Sequence, residues 1–230
     1  MSPNYPELLT HHYVISIIML FVWIGVYLFG KRASEDQIKW FTVFLITISI
    51  VQEIADYIIR LQGAEAGLYE FKWTKEMPLQ PCHFAYLASI IAMWKKNIHC
   101  FYIAYFFGMS GAFLGILTPG GGIYSVATNL TQHFQHSFII LNLAWCIGAL
   151  NMRATKRSIL FALFVLNLLV IPIGTYNYFT GENFFFLREA PVTLVYNPLL
   201  PVTTWPWYIL WIEMIFIPYC YLFYLPIRED

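Results

Sequence analysis

Charge is what this sequence has least of. Asp, Glu, Lys and Arg make up 11% of its 230 residues, where a soluble domain carries roughly 25%. Basic and acidic residues cancel to a net charge of zero, and no basic run is long enough for a nucleic-acid footprint. Cysteine is as sparse: Cys82, Cys100, Cys146 and Cys220 form no CxxC pair and no disulfide framework. There is no tandem repeat, no low-complexity tract and no second soluble segment, so the chain reads as one domain over residues 1–230. A cleaved leader is not expected. The first apolar run begins near Tyr13 with no basic stretch before it and no small-residue cleavage site after it.

What is present is apolar. Hydrophobic residues make up 59% of the chain and aromatics 19%, more than a soluble domain of this size can hide. The fold expected is therefore all-α, a polytopic transmembrane helix bundle, multi-pass and integral to the membrane. A crossing needs about 20 apolar residues. The stretches that supply them are Tyr13–Phe29, Ile38–Ile59, Met77–Trp94, Ile98–Leu117, Phe134–Leu150, Ile159–Phe179 and Trp205–Leu225. The third and fifth are the least apolar, with polar residues in their first turns.

Seven spans sort the connections into two sets. One side holds nine Lys and Arg residues, among them Lys31, Lys95, Arg153 and Arg228, and the other holds four. The excess marks the cytoplasmic side, which places the N-terminus outside and the C-terminus in the cytoplasm. Trp40 and Trp94 then fall at the inner interface, with Trp73, Trp205 and Trp207 at the outer one. A bacterial cell membrane is the expected location.

Ionisable groups inside hydrocarbon cost at least a few kcal/mol and usually serve a purpose. Gln52, Asp56 and Arg60 recur every four residues on one stripe of the second span, with Glu53 beside it. Cys82 and His83 open the third span, and His133 and His136 open the fifth. His11 and His12 stand at the mouth of the first. Asn177 and Asn183 flank the outer end of the sixth, and Trp207 and Tyr208 begin the seventh. All belong to outer halves, which suggests one polar, aromatic-lined chamber open to the outside. Asn129-Leu130-Thr131 is formally a glycosylation sequon on an outer connection.

The chemistry that fits is nucleophilic catalysis by a Cys–His pair, with a thiolate attacking a carbonyl and an imidazole moving the proton. Cys82 and His136 lie at the same expected depth, and Asn177 or Asn183 would orient or donate. Other readings stay open. One has the histidines satisfying only backbone carbonyls, and another has the span-two charges holding helices together. Cys82, His83, His133 and His136 are a possible zinc set without diagnostic spacing; no cofactor is expected. A small-ligand binding or transport protein would use Asp56, Glu53 and Arg60 as contacts, and a non-catalytic membrane partner is a third possibility. The run Gly108, Gly111 and Gly115 suits close helix packing or a break.

The string Pro78-Leu79-Gln80-Pro81-Cys82 resembles the "LPLHLC" segment of the YwaF/TMEM164-like family of integral membrane proteins. Further matches follow in order: Gly108-Met109-Ser110-Gly111-Ala112, Leu117-Thr118-Pro119, His136-Ser137-Phe138-Ile139-Ile140, Asn177-Tyr178, Gly181-Glu182-Asn183-Phe184 and Trp205-Pro206-Trp207-Tyr208. The animal branch of that family looks like a lipid acyltransferase that uses a cysteine acyl-enzyme and a histidine. The resemblance implies acyl exchange on membrane phospholipid or lysophospholipid, with Cys82 as nucleophile and His136 as general base. Two positions depart from the family pattern. Gln80-Pro81 replaces the His-Leu before the cysteine, leaving His83 as the histidine that would substitute, about 100° away round the helix. Glu182 replaces a small polar residue.

Overall fold

The computed structural model describes residues 5–68, 70–119, 125–191 and 202–229. Its elements are helices: α1 Tyr5–Gly30, α2 Glu35–Glu65, the single turn α3 Trp73–Glu76, α4 Pro81–Lys95, α5 Ile98–Leu117, α6 Val126–Gly148, α7 Lys156–Thr180 and α8 Trp207–Tyr224. Short 3-10 turns at Phe184–Phe186 and Leu225–Ile227 follow α7 and α8.

Local chemistry sets the helix ends. Ser34 and Gln37 form a capping box at the start of α2, with Glu35 and Asp36 on the positive end of its dipole. Asn97 caps α5 by accepting from the Cys100 amide at 3.0 Å. Gly181, at φ 82°, takes the left-handed conformation that closes α7.

Five helices are long and apolar enough to cross a membrane: α1, α2, α5, α7 and α8. Their large side chains, such as Phe21, Val43, Leu160, Ile171 and Met214, face outward. In water these would be aggregation surfaces; in lipid they match the solvent. The other two expected spans are helices as well, but α4 has only 15 residues and α6 is polar along its first half. These two lie innermost. Helix α6 packs against α1, α2, α4 and α5, and α4 and α5 form a tight antiparallel pair. The core follows α6 through Ile139, Leu143, Trp145 and Cys146.

One expected boundary is corrected. Helix α6 begins at Val126, well before Phe134, because Ser125 and Thr128 form a second capping box. His133 and His136 therefore sit inside the helix and do not open it.

The two ends of the bundle differ. At one end Ala154 pairs with the backbone of Ile227 and Glu229, and Trp145 stacks on Phe29, with Phe41 packed against both rings. At the other, Asn129 of α6 bonds Leu8 of α1, Arg60 near the end of α2 bonds Glu76, and Thr74 bonds Glu182.

Candidate functional site

Helix α4 starts abruptly. Gln80 is extended, Pro81 occupies the first helical position where its missing N–H costs nothing, and the His83 and Phe84 amides turn back to the Gln80 carbonyl. Cys82 is thereby fixed in the first turn, at the positive end of the helix. Its thiol meets α5: a Cβ placed on Gly111 would lie 2.9 Å from the Cys82 Sγ. One turn further along α5, a Cβ on Gly115 would lie 2.9 Å from Cε1 and 3.2 Å from Nδ1 of His136. Positions four apart on a helix face are about 6 Å apart, so Cys82 from α4 and His136 from α6 rest on adjacent glycine seats. Both remain half-buried.

Helix α5 is not regular at this point. Gly108–Ala112 forms a π turn, a device often found at functional sites. Tyr219 of α8 donates to the Met109 carbonyl within it, at 3.1 Å.

Two further groups complete the surroundings. His83 follows Cys82 in the first turn of α4, and its Nδ1 is buried without a hydrogen-bond partner. Gln132 sits one turn before His136 on the same face of α6, and its carboxamide oxygen is likewise buried and unpartnered.

The second histidine cluster is of another kind. His12 Nδ1 lies 3.0 Å from Asn129 Oδ1, and its Nε2 lies 2.9 Å from the Ile116 carbonyl oxygen. Asn129 donates to the Leu8 carbonyl at 2.7 Å. The sequon asparagine is thus buried and occupied on both sides. His133 places Nε2 2.8 Å from the Ser16 hydroxyl and Nδ1 2.9 Å from that of Ser137. It ties α1 to α6 and does not join the glycine seats. The possible zinc set is not assembled either: among the described residues no three His, Cys, Asp or Glu side chains gather in ligating geometry.

The stripe on α2 is largely occupied with its own charges. Arg60 donates to Asp56 at 2.7 Å and to Glu76 at 2.8 Å, both acids being buried. Glu53 accepts from Gln135 at 3.1 Å. Gln52 accepts from Tyr86 at 2.7 Å and donates to the Thr131 carbonyl at 3.3 Å. The stripe thus forms a wall between α2, α4 and α6.

A strap over residues 181–190 packs against the start of α4. Asn177, fully buried, accepts from the Phe184 amide and donates to its carbonyl. Asn183 accepts from the Arg188 and Glu189 amides and donates to the Glu189 carbonyl. The Tyr208 hydroxyl donates to the Phe186 carbonyl at 2.5 Å, and Trp205 donates to that of Leu187. Gln80 accepts from the Phe185 amide, and the Phe185 ring meets Phe84 edge-on. The strap is therefore pinned above the first turn of α4. Trp207 is exposed, away from these contacts. A groove of about 460 Å³ runs between α7, the strap and α8, lined by Val170, Gly174, Asn177, Leu187, Arg188 and Ile209.

Of the residues singled out in sequence, Cys82 and His136 come together on α5. Asp56, Arg60 and Glu53 stand in one wall behind them. Asn177, Asn183 and Tyr208 serve the strap, and His133 serves the α1–α6 contact. Sequence reading did not see Gln132, or that the glycines form two seats. The signal was there in the four-residue spacings Gly111/Gly115 and Gln132/His136.

One family model, described as the TMEM164 family, matches residues 8–224. No curated protein and no solved structure matches the chain.

Proposed function

The chain belongs to the TMEM164 family, and from that premise we propose that it is a membrane-embedded lipid acyltransferase or acyl hydrolase working through a thioester on Cys82. The observation that carries this reading is the pair of glycine seats, which bring one thiol and one imidazole from different helices to neighbouring positions on α5. Nucleophilic acyl transfer needs such an adjacency.

In the first half-reaction the His136 imidazole takes the Cys82 proton. The thiolate then attacks the ester carbonyl of a phospholipid. The carbon–oxygen bond breaks, and the imidazolium returns its proton to the departing lysophospholipid oxygen. In the second, a hydroxyl of a lysophospholipid or of water attacks the thioester and frees the thiol. The positive end of α4 favours the thiolate and the oxyanion that develop beside it. Exposed apolar side chains on the surrounding helices suit substrates that arrive from lipid.

In this reading α4 and α6 also cross the membrane, inside a ring of more apolar helices, giving seven crossings. The end with Lys31, Lys95, Arg153 and Arg228 is cytoplasmic, so the chamber serves the outer leaflet.

The test is a phospholipid with a fluorescent acyl chain, incubated with the purified protein and quenched in acid. Wild type should carry a hydroxylamine-sensitive label, and Cys82→Ala should carry none while eluting as the same folded species. Unchanged lipid remodelling by Cys82→Ala would overturn the proposal.

A further inference from the structure

The chemistry above leaves one imidazole beside the nucleophile without a task. We propose that His83 is the general base of the second half-reaction, taking the proton from the acceptor hydroxyl that discharges the Cys82 thioester. This rests on the reading of Cys82 as the acylated residue.

Three observations carry it. His83 follows Cys82 in the first turn of α4, a segment fixed by Pro81 and pinned from above through Gln80 and Phe185. Its Nδ1 is buried and has no hydrogen-bond partner, an uncommon condition for a buried polar group and one that asks for a reason. The charged groups of the α2 wall are committed to one another or to Gln135, since Arg60 binds Asp56 and Glu76, and Glu53 holds Gln135. The contrast with His12 and His133, each of whose ring nitrogens lies within 3.0 Å of a polar atom, is direct. None of these charged groups bonds the His83 Nδ1, and an acceptor hydroxyl would supply the partner it lacks.

The position divides the work. His136 shares the α5 seats with Cys82 and serves the thiol, while His83, next to Cys82 in the first turn of α4, serves the acceptor. During transfer the acceptor O–H bond breaks, with its proton going to the His83 imidazole. The oxygen forms a bond to the thioester carbonyl carbon. The carbon–sulfur bond breaks with its electron pair on Sγ, and the proton passes from His83 through His136 to the sulfur. No oxidant, reductant or further reactant is needed.

The experiment separates the half-reactions in full-length protein. Cys82 is loaded from the fluorescent phospholipid, excess donor is removed, and the thioester is discharged with palmitoyl lysophosphatidylglycerol or with hydroxylamine. Hydroxylamine is nucleophilic enough to need no base. His83→Gln should load to the wild-type extent, discharge to the lysophospholipid about 100-fold more slowly, and discharge to hydroxylamine at the wild-type rate. His83→Asn serves if the glutamine variant does not fold. Wild-type discharge to the lysophospholipid would overturn the inference. Equal slowing with both nucleophiles would do the same, as would a variant that cannot load. If the wild type itself does not load, the failure lies in the Cys82 reading, and this inference falls with it.

Discussion

His133 and His136 stand one turn apart on the same helix, yet the fold treats them oppositely. His133 has both ring nitrogens against serine hydroxyls, one from α1 and one from its own next turn. His136 lies on bare glycine, and among the described residues no hydrogen bond is assigned to its ring. The same division separates His12 from His83. One pair is spent on holding α1, α5 and α6 together; the other keeps its hydrogen-bonding capacity in reserve. In a membrane protein, where an unused polar group has no water to turn to, the histidine left without a partner is the better candidate for chemistry.

The largest expected effects fall on the unpartnered side. Cys82→Ala should lose all acyl transfer in a lipid-product assay. His136→Ala should lose about 10²- to 10⁴-fold in acylation rate, each variant unfolding at nearly the wild-type temperature. His133→Ala should do the reverse: its two serines lose their partner, costing about 1–3 kcal/mol in reversible unfolding, while acylation per folded molecule is retained. Loss of acylation with full stability in His133→Ala would break the comparison.

A smaller effect is expected at the seats. Gly111→Ala would press on the Cys82 sulfur and Gly115→Ala on the His136 ring, so thioester formation should fall about tenfold, as expected for a slightly misplaced reacting group. Gly25→Ala meets nothing within 4 Å and is the control, with no change expected. The smallest effect is an absence: in a glycosylating membrane Asn129 should acquire no glycan, read as unchanged mobility after glycosidase treatment.

How much was legible follows from what hydropathy measures. The bounds of α5 were read from sequence as they stand, because this helix is apolar throughout and capped by Asn97. The start of α6 was missed, because Asn129, His133 and Gln135 face protein and not lipid. A window that scores affinity for lipid discounts a helix surrounded by other helices. The Asp56–Arg60 pair could be read from its four-residue spacing. Its third member, Glu76, could not, since it comes from a connection. The outer position of Asn183 and Tyr208 could be read from sequence, but their hydrogen bonds to the strap backbone could not, since those depend on how residues 181–190 fold back.

The π turn at Gly108–Ala112 has a consequence for how this chain tolerates change. Such a turn is a regular helix with one residue too many, and each residue of an α-helix turns the chain by about 100°. The part of α5 that carries Gly115 is thus aimed by count, like a vernier set one division over. Loss of a single residue from the turn would leave a smoother helix with Cys82, His136 and both glycines still present, pointing past one another.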